Sequence, residues 1–167
     1  MPPRPPVLVD TNVIIEAVRT ECWTAITGQL TVETVEACRA EALAGSEAES
    51  RRYVPVGDAD LKRMRAIHRV PPVLQAGLKL AYRDADGLDK GEHDLLAHAH
   101  ARTENVRLCS PDKAAIRAAV ALGLGDQIVS LEELIREVGA RARRPLRVQF
   151  TTLWMVSFRS KVKLESM

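Results

Sequence analysis

Asp10, Glu36, Glu92 and Asp112 stand where acidic side chains are useful. Asp10 closes the short apolar run Val7-Leu8-Val9 and is followed by Thr11 and Asn12, a hydroxyl and an amide placed just before an apolar helical pattern resumes. Glu92 follows Gly91 at the start of another helical pattern, and Asp112 follows the run Val106-Arg107-Leu108-Cys109 and the pair Ser110-Pro111. Glu36 falls early in the helix expected after a second extended run. In an open parallel α/β sheet, seams between strand and helix gather on one edge, so residues far apart in sequence meet there. Four carboxylates on one rim repel each other, and their pKa values rise unless a cation compensates. A donor set of oxygens without thiolate suits a hard, partly hydrated Mg²⁺ or Mn²⁺. Two such ions about 3.5–4 Å apart can activate water and stabilise the departing oxygen of a phosphodiester. Metal-dependent hydrolysis of nucleic acid is the chemistry this set points to. Each acid also has a local reading. Asp10 is a good helix cap, Asp89 and Glu92 have capping-box spacing, Asp112 sits where a helix start favours an acid, and Glu36 suits a solvent-facing turn.

The elements that must position these acids alternate. Pro6 leads into Val7-Leu8-Val9, a strand buried on both faces. Residues 13–27 read as one helix, irregular around Glu21, and Gly28 stops it. Leu30-Thr31-Val32 is β-prone and precedes an alanine-rich helix to Ala44. Gly45 to Arg52 reads as a polar loop, and Tyr53-Val54-Pro55-Val56 as extended chain. Asp58 caps a basic helical stretch through Lys62, Arg63, Arg65 and His68; Pro71-Pro72 breaks it, and a helix follows from Val73 to Tyr82. Leu95, Leu96, Ala99 and Ala101 form the packing side of the helix that Glu92 opens. After Asp112 comes an alanine-rich helix to Leu122, then the short extended Ile128-Val129, then Ser130-Leu131-Glu132-Glu133 in capping-box form ahead of a helix to Val138. This alternation predicts a three-layer α/β/α fold with a central parallel sheet of four or five strands.

Composition narrows the function class. The chain has 167 residues, room for one domain with a sizeable core. Aromatic residues make up 4%, too few for a base-stacking platform to be the main binding device. Residues 1–138 carry 17 Lys/Arg and 21 Asp/Glu, against 7 and 1 in residues 139–167, so a mildly acidic body bears a basic end suited to a polyanion. Cys22, Cys38 and Cys109 are odd in number and lack CxxC spacing, so neither a disulfide framework nor a zinc knuckle is indicated and a cytoplasmic setting suits them. No signal-peptide core or membrane-length apolar run occurs, which speaks against a membrane partner. The tail from Val148 to Phe158 is β-branched and aromatic; it is expected to pack on the body as a strand or helix, or on another subunit in a homo-oligomer.

In order, Val7-Leu8-Val9-Asp10-Thr11-Asn12, Gly91-Glu92 at a helix start, Ser110-Pro111-Asp112 after a strand, and Leu122-Gly123-Leu124 one helix later resemble the PIN domain. The resemblance covers residues 6–138, leaving residues 139–167 as a basic, aromatic-containing extension. The family consists of small α/β/α metal-dependent ribonucleases, many of them toxins of bacterial toxin–antitoxin pairs. The resemblance therefore implies RNA as substrate, Mg²⁺ or Mn²⁺ as cofactor, and a cognate antitoxin protein as a candidate partner. It puts the family's acids on Asp10, Glu36, Glu92 and Asp112, with Glu33 as the alternative to Glu36 and Asp94 assisting or replacing Glu92. Thr11, Asn12 and Ser110 fall at the adjacent polar positions. The long interval from Leu43 to Leu88 and the extension depart from the shorter toxins. A catalytically silent PIN-like module that binds RNA or a partner protein, and a divalent-metal phosphatase or phosphoesterase on a doubly wound fold with Asp10 as ligand or nucleophile, are the alternatives from other classes.

Other signals carry less. Ser110-Pro111-Asp112-Lys113 has S-x-x-K form, but its companion elements are absent. His93, His98 and His100 lack the i, i+4 spacing of a helical zinc pair and read as packing or solvent-facing residues. Arg51, Arg52, Lys62, Arg63, Arg65 and Arg69 form a basic run that would suit an RNA path or a solvated face.

Overall fold

The computed structural model describes residues 2–48 and 56–167, with the side chains of residues 45–48 outside that description. Four strands, β1 (Val7–Val9), β2 (Val32–Val35), β3 (Ala66–His68) and β4 (Arg107–Cys109), form an all-parallel sheet in the order β3-β2-β1-β4. A parallel bridge between Leu108 and Ile128 extends it beyond β4. The helices among the described residues are α1 (Thr11–Arg19), α2 (Trp23–Gln29), α3 (Glu36–Ala48), α4 (Asp58–Leu61), α5 (Pro72–Ala81), α6 (Lys90–Ala101), α7 (Lys113–Ala121), α8 (Leu131–Glu137) and α9 (Thr152–Glu165). None is long and apolar enough to cross a membrane.

Register decides which side chains meet which layer. Val7 pairs with Val32 and Arg107, and Leu8 with Glu33 and Leu108, so alternate residues of neighbouring strands share a face. Val7, Val9, Val32 and Cys109 face a core built with α1, α2 and α8, while Leu8, Val35 and Leu108 face one built with α6, α7 and α9. Helices thus cover both faces, and β1 is fully buried, which is why it must read as unbroken apolar sequence. The sheet and its two helical layers make the expected α/β/α sandwich.

Several boundaries differ from the sequence reading, each for a tertiary reason. The single helix expected over residues 13–27 is two, because Glu21 adopts φ 59° and turns the chain between α1 and α2. β2 lies later than Leu30-Thr31-Val32, at Val32–Val35, and α3 runs past Ala44 to Ala48. The basic helix expected from Asp58 to His68 stops at Leu61. Arg65 donates its amide to Val32 O at 2.8 Å, and Ala66–His68 then pairs with β2, so strand pairing overrides the local helical pattern. Arg51, Arg52, Tyr53, Val54 and Pro55 lie outside the described residues.

The tail is a helix packed on the body. Thr151 caps α9, accepting from the Trp154 amide. Phe150 enters one core, and Met155, Phe158 and Val162 enter the other. Upstream, the Arg147 amide donates to Glu16 Oε2 at 2.8 Å, and Arg19 Nη2 donates to Pro145 O at 2.7 Å. Burial opposes the charge on Glu16, yet its bonds from Arg19 and Arg147 outweigh that and hold the carboxyl below its usual range.

Candidate active site

Two strand-to-helix seams, β1 to α1 and β4 to α7, meet at one rim of the sheet, and the first turn of α6, which leads into β4 rather than out of a strand, joins them there. The Asp10 amide donates to Cys109 O at 3.2 Å, setting the end of β1 beside the end of β4. The buried Asp10 carboxyl accepts from the Val13 amide at 3.0 Å through Oδ1 and from Ser110 Oγ at 2.5 Å through Oδ2. Ser110 Oγ also accepts from the Asp112 amide at 3.2 Å, and Asp112 Oδ1 caps α7 by accepting from the Ala115 amide at 3.0 Å. Glu92 belongs to a capping box. Its amide donates to Asp89 Oδ1 at 2.9 Å, and its Oε2 accepts from the Asp89 amide at 3.3 Å. The Asp112 carboxyl lies close enough for its charge to bear on that of Glu92.

The fourth carboxylate at this rim is Glu41, which the sequence reading did not single out. Thr11 Oγ1 donates to Glu41 Oε2 at 2.9 Å, and the Gly91 amide donates to Glu41 Oε1 at 3.0 Å. A Cβ on residue 91 would lie 2.5 Å from Glu41 Oε2, so glycine is what lets the carboxylate reach the first turn of α6. The period of α3 explains why Glu41 is present and Glu36 is not. Cys38 and Ala42 are fully buried. Glu41, three residues after Cys38, shares their side of the helix, whereas Glu36, two residues before Cys38, lies on the opposite side and is exposed. Glu33 does not fill the position either. Its side chain points to the far end of α6, where it bonds His68 and Arg102.

Asp94 turns away as well. Its Oδ1 accepts from Gln75 Nε2 at 2.9 Å on the α5 side. Asn12 is exposed two residues past the cap, and Thr11 and Ser110 lie inside the cluster as bonding partners of Glu41 and Asp10. His98 packs, as expected of it, with its ring stacked on that of His68 and centroids 4.1 Å apart.

Electrostatics separate this rim from the carboxylates elsewhere that an arginine or lysine holds. Glu16, Glu33 and Glu137 each pair with an arginine and Asp126 with Lys163. Among the described residues no lysine or arginine forms an ion pair with Asp10, Glu41, Glu92 or Asp112. Lys113, next to Asp112, instead lies over the Phe158 ring. Burial pushes the Asp10 carboxyl up to about 7, against the bonds from Ser110 and Val13 and with help from the charges of Asp112 and Asp89. Burial likewise raises Glu92 to about 8, reinforced by the charges of Asp112 and Asp89. Cys38 donates its thiol to Gly91 O at 3.5 Å, and burial pushes that thiol up to about 12, which leaves it inert at neutral pH.

No model of a known protein family matches the chain, and no curated protein matches it. The donor set itself fits a hard dication: every candidate ligand is a carboxylate oxygen, and no cationic side chain is held against them.

The upward shifts make stability depend on pH with a definite sign. Asp10 and Glu92 bind protons more tightly folded than at their ordinary values of 3.8 and 4.5, so their contribution is full below about 4 and is lost as pH rises through about 7 to 8. With a chelator present, urea unfolding is expected to show stability falling across that window by an amount of order a few kcal/mol. The Asp10→Asn, Glu92→Gln double variant should flatten the slope.

Proposed function

We propose that the chain is a Mg²⁺- or Mn²⁺-dependent endoribonuclease of the PIN-domain kind. The observation that carries this reading is a rim of four carboxyls paired with no side-chain cation among the described residues, two of them so burdened by burial that they hold protons near neutral pH. One or two divalent ions drawn in among Asp10, Glu41, Glu92 and Asp112, whose side chains would turn inward to ligate, would supply the charge that polarises a phosphodiester and lowers the pKa of water. The chain's own groups orient the ligands. Ser110 and the Val13 amide fix both oxygens of Asp10, and Thr11 and the Gly91 amide fix both oxygens of Glu41. Loss of the proton on Glu92 completes the ligand set, so cation affinity rises with pH through the neutral range. Asn12, exposed at the rim, offers a neutral amide to a phosphate oxygen. The buried free thiols of Cys22, Cys38 and Cys109 suit a reducing cytoplasm.

The test is cleavage of end-labelled single-stranded and hairpin RNA. Internal cuts are expected with Mn²⁺ or Mg²⁺, none after chelation, and full recovery on adding the ion back. Hydrolysis of small phosphomonoesters without RNA cleavage would replace the reading with a phosphatase. RNA binding without turnover would replace it with a silent module.

A further inference from the structure

Well along α6 from the acidic rim, a second group of ligating side chains meets that the nuclease reading does not use. Glu33 on β2 and His68 on β3 fall on the same face of the sheet, because Glu33 pairs with Ala66 and Val35 with His68. His98 on the last turn of α6 and Arg102, the residue that ends it, meet them from the helical layer. Glu33 Oε2 lies 3.1 Å from His68 Nε2, and the His68 and His98 rings stack at 4.1 Å with 21° between their planes. One ligand atom from each of Glu33, His68 and His98 lies within 4.8 Å of the others, a convergence found in no other group of three such residues among those described.

We propose that Glu33, His68 and His98 form a binding site for a transition-metal dication of the zinc class, separate from the acidic rim. His98 Nε2 is buried and has no hydrogen-bond partner, although buried ring nitrogens are ordinarily satisfied. A metal ion is a partner that would satisfy it. Burial, with the nearby His68 and Arg102, pushes His98 down to about 4, so the ring is neutral at physiological pH and its lone pair is free to ligate. Two imidazoles and one carboxylate are the ligand set of open zinc sites, which retain a position for water. Imidazole donors favour Zn²⁺ over Mg²⁺, whereas the all-oxygen rim favours the reverse, so the two sites sort ions by chemistry. With bonds of about 2.0–2.1 Å, tetrahedral ligand atoms stand about 3.3–3.4 Å apart, so ion binding closes the widest pair by up to about 1.5 Å and turns the stacked rings out of parallel until both lone pairs meet the ion.

Arg102 holds the place of the cation. Its Nη1 bonds Glu33 Oε2, and its Nη2 already reaches the exposed Glu104 at 2.7 Å. Burial opposes the charge on Glu33, but the bonds from His68 and Arg102 win and keep its carboxyl below the usual range, ready to ligate. Ion binding transfers Arg102 to Glu104 and ties the edge strand β3, through His68, to β2 and α6.

The experiment is Zn²⁺ titration of the metal-stripped full chain in excess Mg²⁺, read by competition with a chromophoric chelator, with Co²⁺ absorption as the coordination signature. One equivalent is expected to bind. His98→Gln and His68→Gln should each weaken it about 100-fold or more, a loss at or above that of removing an outer-shell partner. Asp10→Asn should leave it unchanged. His68, with a side chain 28% exposed, is the substitution that disturbs the core least, and circular dichroism checks each fold. The proposal is overturned if no equivalent binds, if both histidine variants bind like the parent, or if Asp10→Asn removes the binding. RNA plays no part in this readout, so its failure and that of the nuclease reading are distinguishable.

Discussion

Asp10→Asn is expected to lower RNA cleavage about a thousandfold or more while making the protein harder to unfold at neutral pH. The activity loss follows from deleting the one carboxylate that both caps α1 and bonds to the β4 seam through Ser110, a change comparable to removing a preorganised charge from an active site. The gain in stability follows from the same burial. An acid raised to about 7 destabilises the fold wherever it is ionised, and asparagine is neutral yet still caps the helix by accepting from Val13. The expected gain above pH 7 is of order 1–3 kcal/mol. Single-turnover cleavage and urea unfolding on the same preparation measure both. Cleavage that survives the substitution would remove Asp10 from the site, and with it the metal-hydrolysis reading.

Glu41→Gln is the second large effect, and its contrast with Glu36→Gln makes it specific. Glutamine at residue 41 can still accept from Thr11 or Gly91, but it removes a negative ligand, so cleavage should fall about 100-fold or more and the Mn²⁺ concentration for half activity should rise. Glu36→Gln, on the exposed side of α3, should stay within about twofold of the parent and within about 0.5 kcal/mol in stability. Titration of activity with Mn²⁺ in both variants distinguishes them. Equal losses, or a loss confined to Glu36→Gln, would show that helical phase on α3 does not select the ligand.

What was legible in the sequence is what local physics controls. A strand covered on both faces must be apolar throughout, so Val7–Val9 announces itself, and Asp10, Glu92 and Asp112 announce themselves as acids at helix starts. The α/β/α layering follows from alternation in the same way. β3 was hidden because three residues carry no period of their own; its strand exists only through pairing with β2. Glu41 was half-legible. The buried pair Cys38 and Ala42 sets the phase of α3 and excludes Glu36, but the contact that holds Glu41 comes from Gly91, fifty residues away. The stacking of His68 on His98 was beyond reach, since the spacing of His93, His98 and His100 along one helix says nothing of a strand docked beside it.

Helices α1, α6 and α7 all begin at the acidic rim, α1 and α7 because the parallel strands β1 and β4 hand over to them at that edge, and α6 because it runs back across the sheet to feed β4 from the opposite edge. Their macrodipoles add there, roughly one and a half positive elementary charges in all, from peptide groups that no point substitution can delete. That permanent field offsets part of four carboxylates, and one dication brings the remainder close to neutrality. The balance of charge at the rim is therefore a property of backbone topology first and of side chains second.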